Sequence, residues 1–189
     1  VSHRSRPHIL GVDDAPFEKG QPNPVPIVGV AMEGSDLVES VAIGEFPIDG
    51  EGAAEYLGTW IGGLRSRPTL QAVILGGITI AGLGVVDLSA LADRLELPVL
   101  VVTRRNPARS DLADALRSAG LSHRLPILER VPKAFGVAEG LYLAHAGASR
   151  PDAEHLVLAA LSKARLPEPL RVAHLIGQAI VLRQSRGRV

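Results

Sequence analysis

Apolar positions fall into two rhythms along this chain. Short runs with strand character come first: residues 8–13, then 27–32 after the proline-rich GQPNPVP, then 37–46. Gly34-Ser35-Asp36 between the last two suits a hairpin turn, so the first three strands form an antiparallel meander. Helical spacing follows. Ala54, Leu57, Trp60 and Ile61 predict a helix over about 52–64, with Asp49 at its start and Glu51 in its first turn, where carboxylates meet the positive end of the macrodipole. Gln71-Ala72-Val73-Ile74-Leu75 is a continuous apolar run, the pattern of a strand covered on both faces and hence of the sheet's centre.

Beyond it the two rhythms alternate. Asp87 opens a helix carrying Leu88, Leu91, Ala92 and Leu95, and 98–102 is the next buried strand. Ser110 or Asp111 caps a third helix ending at Gly120, residues 140–144 form another strand, and helices over about 152–164 and 170–183 close the chain. Three antiparallel strands followed by alternating helices and strands predict an α/β fold: a mixed sheet with helices on its faces, in the order of ribonuclease H-like folds. A dinucleotide-binding fold would open with parallel βαβ units instead. No repeat or long linker divides the 189 residues, so residues 1–189 are expected to form one domain.

Composition narrows the chemistry. Lys plus Arg and Asp plus Glu are both 20, so no global field draws in a polyanion and any nucleic-acid contact rests on local basic patches. There is no cysteine, which removes thiolate catalysis, disulfides and cysteine-held metals. No apolar run reaches the ~18–20 residues of a membrane span, and VSHRSRPH has no signal-peptide core, so a soluble, cytoplasmic protein without a membrane partner is expected. Three Phe, two Tyr and one Trp are too few for a surface that grips single strands by base stacking.

The acids raise the sharper question. GVDDAPF (11–17) ends a strand on two adjacent carboxylates before Pro16. Charges about 4 Å apart repel by roughly 4 kcal/mol at an effective dielectric near 20, so clustered carboxylates need a cation, a shared proton or open water. Magnesium, or manganese, would answer if Asp13 met Asp49 or Glu51 and a third acid at the end of the central strand. The alternatives stay open: Asp13 and Asp14 as turn residues, Asp49 and Asp87 as helix caps.

LGGITIAGLG (75–84) fits neither phosphate-loop pattern, yet its glycines permit close approach of a ligand or a tight irregular loop over the sheet. Gly77, Thr79 and Gly82 are therefore candidate substrate contacts. His174 lies in an apolar helical context, where a hydrogen-bonded core histidine is the competing reading. Arg104 and Arg105, just past a buried strand, and the tail 183–188 with Arg186 are the local basic groups that phosphates could meet.

The ordered set GVDDAPF (11–17), FPIDG (46–50), GITIAGLGVVD (77–87), LPVLVVTRR (97–105) and PEPLRVAHLIGQAIVLRQSRGR (167–188) resembles the mainly archaeal, endonuclease V-like endonuclease dU family, from His8 onward. The resemblance implies a ribonuclease H-like fold and metal-dependent cleavage of DNA carrying deaminated bases of the deoxyuridine type, in DNA repair. It implies catalytic and metal roles for Asp13, Asp49 and Glu51 with Mg2+ or Mn2+ as cofactor, and Arg104 stands where endonuclease V has a basic residue after the equivalent strand; the reading as an active endonuclease adds Asp87 as a further metal ligand.

Three positions depart from the family pattern. Gly76 stands where the central strand usually ends in aspartate, Gly84 replaces a usual asparagine, and Arg183-Gln184 stands where Gly-Glu is common. A glycine offers a cation only its carbonyl, so an active endonuclease and a non-cutting homologue that keeps the DNA-shaped groove are both expected possibilities. A small-molecule nucleotide binder is a third.

Overall fold

The computed structural model describes residues 6–105 and 109–186. A seven-stranded sheet runs in the order β3-β2-β1-β4-β7-β9-β8. Its members are β1 (His8–Asp14), β2 (Val25–Glu33), β3 (Leu37–Phe46), β4 (Ala72–Leu75), β7 (Val99–Thr103), β8 (Phe135–Ala138) and β9 (Leu141–Ala146). The first three strands form the expected antiparallel meander, while β1, β4 and β7 lie parallel. Antiparallel β9 and β8 complete the edge.

Period-two alternation decides which face each strand residue serves. Leu10, Val12, Val73, Leu75, Val99 and Val101 turn to one face, under α1 (Ala53–Gly62) and α2 (Leu88–Leu95). Ile9, Ile74, Leu100 and Val102 turn to the other, where α5 (Arg150–Ala159) and α6 (Glu168–Leu182) pack. The all-buried β4 is the sheet's centre, as its unbroken apolar run requires.

Sequence rhythm misplaced a few features. Residues 79–85 are not irregular loop throughout: β5 (Thr79–Ile80) and β6 (Gly84–Val85) pair as a small separate hairpin. The strand β8 and the short α4 (Leu125–Arg130) lie in the proline-containing stretch that carried no clear periodicity. Asp49 is not a helix cap. Gly52 precedes α1 and Asp49 itself sits at a φ of 54°. Asp87, by contrast, caps α2 by accepting a hydrogen bond from the Ala90 N–H. The helix expected from Ser110 or Asp111 is α3 (Arg109–Ser118), so both residues fall inside its first turn.

One close approach positions the site. A Cβ on Gly11 of β1 would stand 2.6 Å from the Pro169 carbonyl oxygen, and one on Gly177 would stand 3.1 Å from the Ala15 Cα. Bare glycines at both ends of the contact let the α6 backbone lie directly on β1. His174, between those two contacts, is thereby brought down to the end of β1.

Candidate active site

Asp13 of β1, Gly76 just past β4 and Thr103 at the end of β7 lie at the carboxyl ends of three adjacent parallel strands. Ligands of open α/β sheets bind outside those ends. Three cavities meet there. One of about 430 Å³ is bordered by Asp13, Gly76, Arg104, Arg171, His174 and Gln178. A second, of about 330 Å³, shares Asp13 and Gly76 with it and adds Asp14, Phe17, Thr79 and Gly82. A third, of about 430 Å³, shares Gly77 with the second and Thr103 with the first, and has apolar walls from Ile78, Val101, Leu112 and Val131 with Arg109 and Lys133 among its lining.

Alternation sends the two acids of GVDD in opposite directions. Asp13 turns to the α6 side, where its Oδ2 lies 2.8 Å from His174 Nδ1. Gln178 Oε1 accepts from the Arg186 N–H at 3.0 Å, so the Gln178 amide nitrogen faces His174 Nε2 at 2.9 Å and donates to it. The neutral imidazole then carries its proton on Nδ1, toward Asp13. That hydrogen bond to Asp13 is the largest cause holding the His174 pKa above the ordinary histidine value of 6.5; burial opposes it. The stabilisation from this pair is complete below the ordinary value and is lost as pH rises through the raised folded value. An NMR titration should place the His174 midpoint above 6.5 in the wild type and lower in Asp13→Asn. Identical midpoints would mean that the pair does not form.

Asp14 turns to the opposite side, where its Oδ2 accepts the Ala81 N–H at 2.8 Å. Burial, with the Asp13 charge next, raises its pKa above the usual carboxylate range. Asp49 grips the same glycine-rich loop, accepting the Leu83 N–H on Oδ1 at 2.7 Å while its own N–H donates to Ala81 O. Gly82, between the two gripped residues, has a φ of 94°, and a Cβ there would run into Asp49 Oδ1. Arg124, only 5% exposed, closes the arrangement by donating to Leu83 O at 2.8 Å and to Asp49 O at 2.7 Å.

A family model described as Endonuclease dU matches residues 5–181. The chain belongs to the endonuclease dU family. A UPF0215 protein of Methanothermobacter thermautotrophicus is 34% identical over 188 residues, covering 97% of this chain and 92% of that protein. The crystal structure of a protein of unknown function from Archaeoglobus fulgidus superposes with a TM-score of 0.85 at 30% identity, covering 93% of this chain and 99% of that one. Endonuclease V of Ciona intestinalis, solved with a 24mer DNA containing an inosine followed by a ribo-adenosine, has a TM-score of 0.57 at 13% identity, covering 91% and 84%. The fold is that of endonuclease V.

Within this endonuclease dU chain the four acids expected around a metal have separate partners. Asp13 meets His174 and Asp49 meets the loop. Glu51 lies 2.9 Å from His123 Nε2 and 3.9 Å from Arg124. Asp87 caps its helix and accepts from Arg130 at 2.7 Å; burial raises its pKa, but the Arg130 and Ala90 hydrogen bonds outweigh that and leave it lowered. Among the described residues, no three His, Asp or Glu side chains come together as a group that could hold a metal ion. Position 76 explains why the corner is poor in donors. Its missing Cβ would stand 2.9 Å from Asp13 Oδ1, so glycine there removes a carboxylate that would have faced Asp13, and the acids lining the cavity beside it are Asp13 and Asp14, which turn to opposite sides of β1. The described residues thus present Asp13 and Asp14 but no third acid, a donor set too small for an all-protein divalent cage.

The substrate-contact candidates fare differently. Gly77, Thr79 and Gly82 border the cavities, as do Arg104 and His174. Thr103 Oγ1 donates to Arg105 O at 2.8 Å and fixes the turn that carries both exposed arginines. Arg186 reaches the site through its backbone N–H on Gln178. Residues 187 and 188 of the basic tail lie outside the described residues. Sequence reasoning overlooked Gln178, Arg171 and Arg124. The first was available in the one-turn spacing of His174 and Gln178 on a helix. Nothing local announces the partners of Arg124.

Proposed function

We propose that this chain, as a single endonuclease V-like domain in the cytoplasm, engages DNA carrying a deaminated base of the deoxyuridine type and serves DNA repair as an endonuclease of the endonuclease V type. The observation that carries this reading is the convergence of three cavities on Asp13, Gly76 and Gly77 at the strand ends, with Arg104 and Arg171 in the wall of one of them. Arg104 is the exposed cation of that wall and supplies a phosphate contact, which gives affinity without sequence preference, while the Arg171 guanidinium is held by Glu168 through its Nε and Nη2. The apolar third cavity has the size and lining of a site that takes an unstacked base, with few polar groups to orient it. Asp13 and His174 form the polar end of the cleft, where the backbone beside that base would lie.

One observation favours a second reading, binding without cutting. Among the described residues no third acid joins Asp13 and Asp14 beside Gly76, so the site is poorer in cation ligands than a three-acid centre.

Fluorescence anisotropy with a uracil-containing duplex and its undamaged counterpart tests recognition, and a nicking assay with Mg2+ or Mn2+ separates the two readings. Preferential binding of the uracil duplex is expected under both, and equal binding of the two duplexes would remove the proposal. Affinity should fall with salt, and Arg104→Ala and Arg105→Ala should each weaken binding to both duplexes and flatten the salt slope by about 1. An unchanged slope would take these arginines off the phosphate track.

A further inference from the structure

Among the described residues, only three side chains bordering the third cavity, of about 430 Å³, can form hydrogen bonds: Thr103, Arg109 and Lys133. The floor of that cavity is the sheet face carrying Val101 of β7 and, opposite it in register, Ala144 of β9. Strand alternation puts Thr103 on the same face, two residues on. Arg109 opens α3, and Lys133 follows Val131 and Pro132 in the opposite wall.

Each of the three acts in one sense only. Thr103 commits its single hydroxyl proton to Arg105 O at 2.8 Å, so its oxygen can only accept from a molecule in the cavity. Reversing that hydroxyl would undo the turn that carries Arg104 and Arg105. Lysine and arginine have donors and no acceptor. Arg109 is anchored by donating from Nη2 to Val131 O, and Lys133 is exposed. The cavity thus combines one obligate acceptor with two cationic donors.

We propose that this cavity reads a lactam edge, a ring N–H beside a carbonyl, with Thr103 accepting from the N–H and Lys133 and Arg109 donating to the carbonyl oxygens. The inference rests on the cleft proposed above and supplies its base specificity. Deamination creates that edge: cytosine exchanges its N4 amino group for O4 and gains a proton on N3, and adenine exchanges N6 for O6 and gains a proton on N1. The parent bases present the reverse, an amino group toward two cations and a bare ring nitrogen toward an oxygen with no proton to offer. Polar groups left unpaired in this way are what make a site reject an analogue.

Thymine carries the same edge as uracil with one added methyl, which an apolar cavity discriminates weakly. The substrate class therefore widens from uracil to mispaired lactam bases, including thymine opposite guanine. Sound base pairs are excluded by the cost of extruding the base and not by the cavity.

Fluorescence anisotropy with a single test base opposite an abasic site removes the pairing cost from the comparison. The wild type should bind uracil and thymine duplexes about tenfold tighter than cytosine or 3-methylthymine duplexes, the last of which keeps both carbonyls but lacks the N–H. In Thr103→Val the ratio of thymine to 3-methylthymine affinity should fall to about one, and Thr103→Ser should restore it. A role confined to the turn would lower affinity for every duplex alike and leave the ratio standing. Lys133→Met should weaken thymine binding more than cytosine binding, and an equal loss overturns the carbonyl contact. A wild type that binds 3-methylthymine as well as thymine, or a ratio unmoved in Thr103→Val, overturns the proposal. If uracil is still preferred over undamaged duplex in either case, the cleft keeps its function and loses only this reader. If no base is preferred in any duplex, both fall.

Discussion

Gly11→Ala should destabilise the protein by about 3 kcal/mol, the upper end for overpacking a tight core. The added Cβ would press against the Pro169 carbonyl and the Leu170 backbone, not against a side chain that can change rotamer. Relief requires α6 to lift from β1, which opens the layer formed by Val28, Val30, Met32 and Ala173. The urea midpoint should fall with an unchanged m-value. Because His174 rides on α6, its NMR midpoint should also move down toward 6.5. Gly62→Ala is the matched control. Its Cβ meets nothing within 4 Å and lies at the end of α1, so that change should leave stability equal or slightly raised. A Gly11→Ala protein as stable as the control would refute the direct seating of the helix on the strand.

Gly76→Asp should convert a chain with little divalent-ion dependence into one whose stability depends on Mn2+. The new Cβ stands 2.9 Å from Asp13 Oδ1, adding a carboxylate that faces Asp13 in a corner already bordered by Asp14. Like charges about 4 Å apart repel by roughly 4 kcal/mol at an effective dielectric near 20, an upper bound that rotation into the cavity reduces. In chelator the variant should melt below the wild type. Mn2+ at about one hundred times its dissociation constant should then return roughly 2.7 kcal/mol. In the wild type the same addition finds Asp13 already hydrogen-bonded to His174 and Asp14 to the Ala81 N–H, and the melting midpoint should barely move. A wild type stabilised by Mn2+ as strongly as the variant would show that the missing acid is not what limits cation binding.

These two glycines mark the boundary between local and tertiary information. The hydrophobic rhythm placed β1 to β4, β7 and the main helices near their observed positions, because burial of alternate or helically spaced side chains is a local pattern. Asp87 was legible as a helix cap for the same reason, since its acceptor reaches an N–H three residues on. Strand β8 and the β5-β6 hairpin were not legible. They are too short to show a period of their own, and pairing with the strand next in the chain, not a side-chain rhythm, is what defines them.

The candidate site divides in the same way. GVDD announced two carboxylates at a strand end, and the family motifs announced an endonuclease V-like fold. Which way each acid turns was settled by the sheet. Asp13 and Asp14 are neighbours in sequence, yet strand alternation sends one to His174, 161 residues away, and the other to Ala81, 67 residues away. Asp49 stands in the family's DG motif, but a positive φ aims its carboxylate at the Leu83 N–H. Sequence by itself determined the chemical groups available and the order of elements that carry them. Only the tertiary structure decided their partners, because a carboxylate takes the nearest donor or cation, and nearness between remote segments exists only after the helices have packed on the sheet.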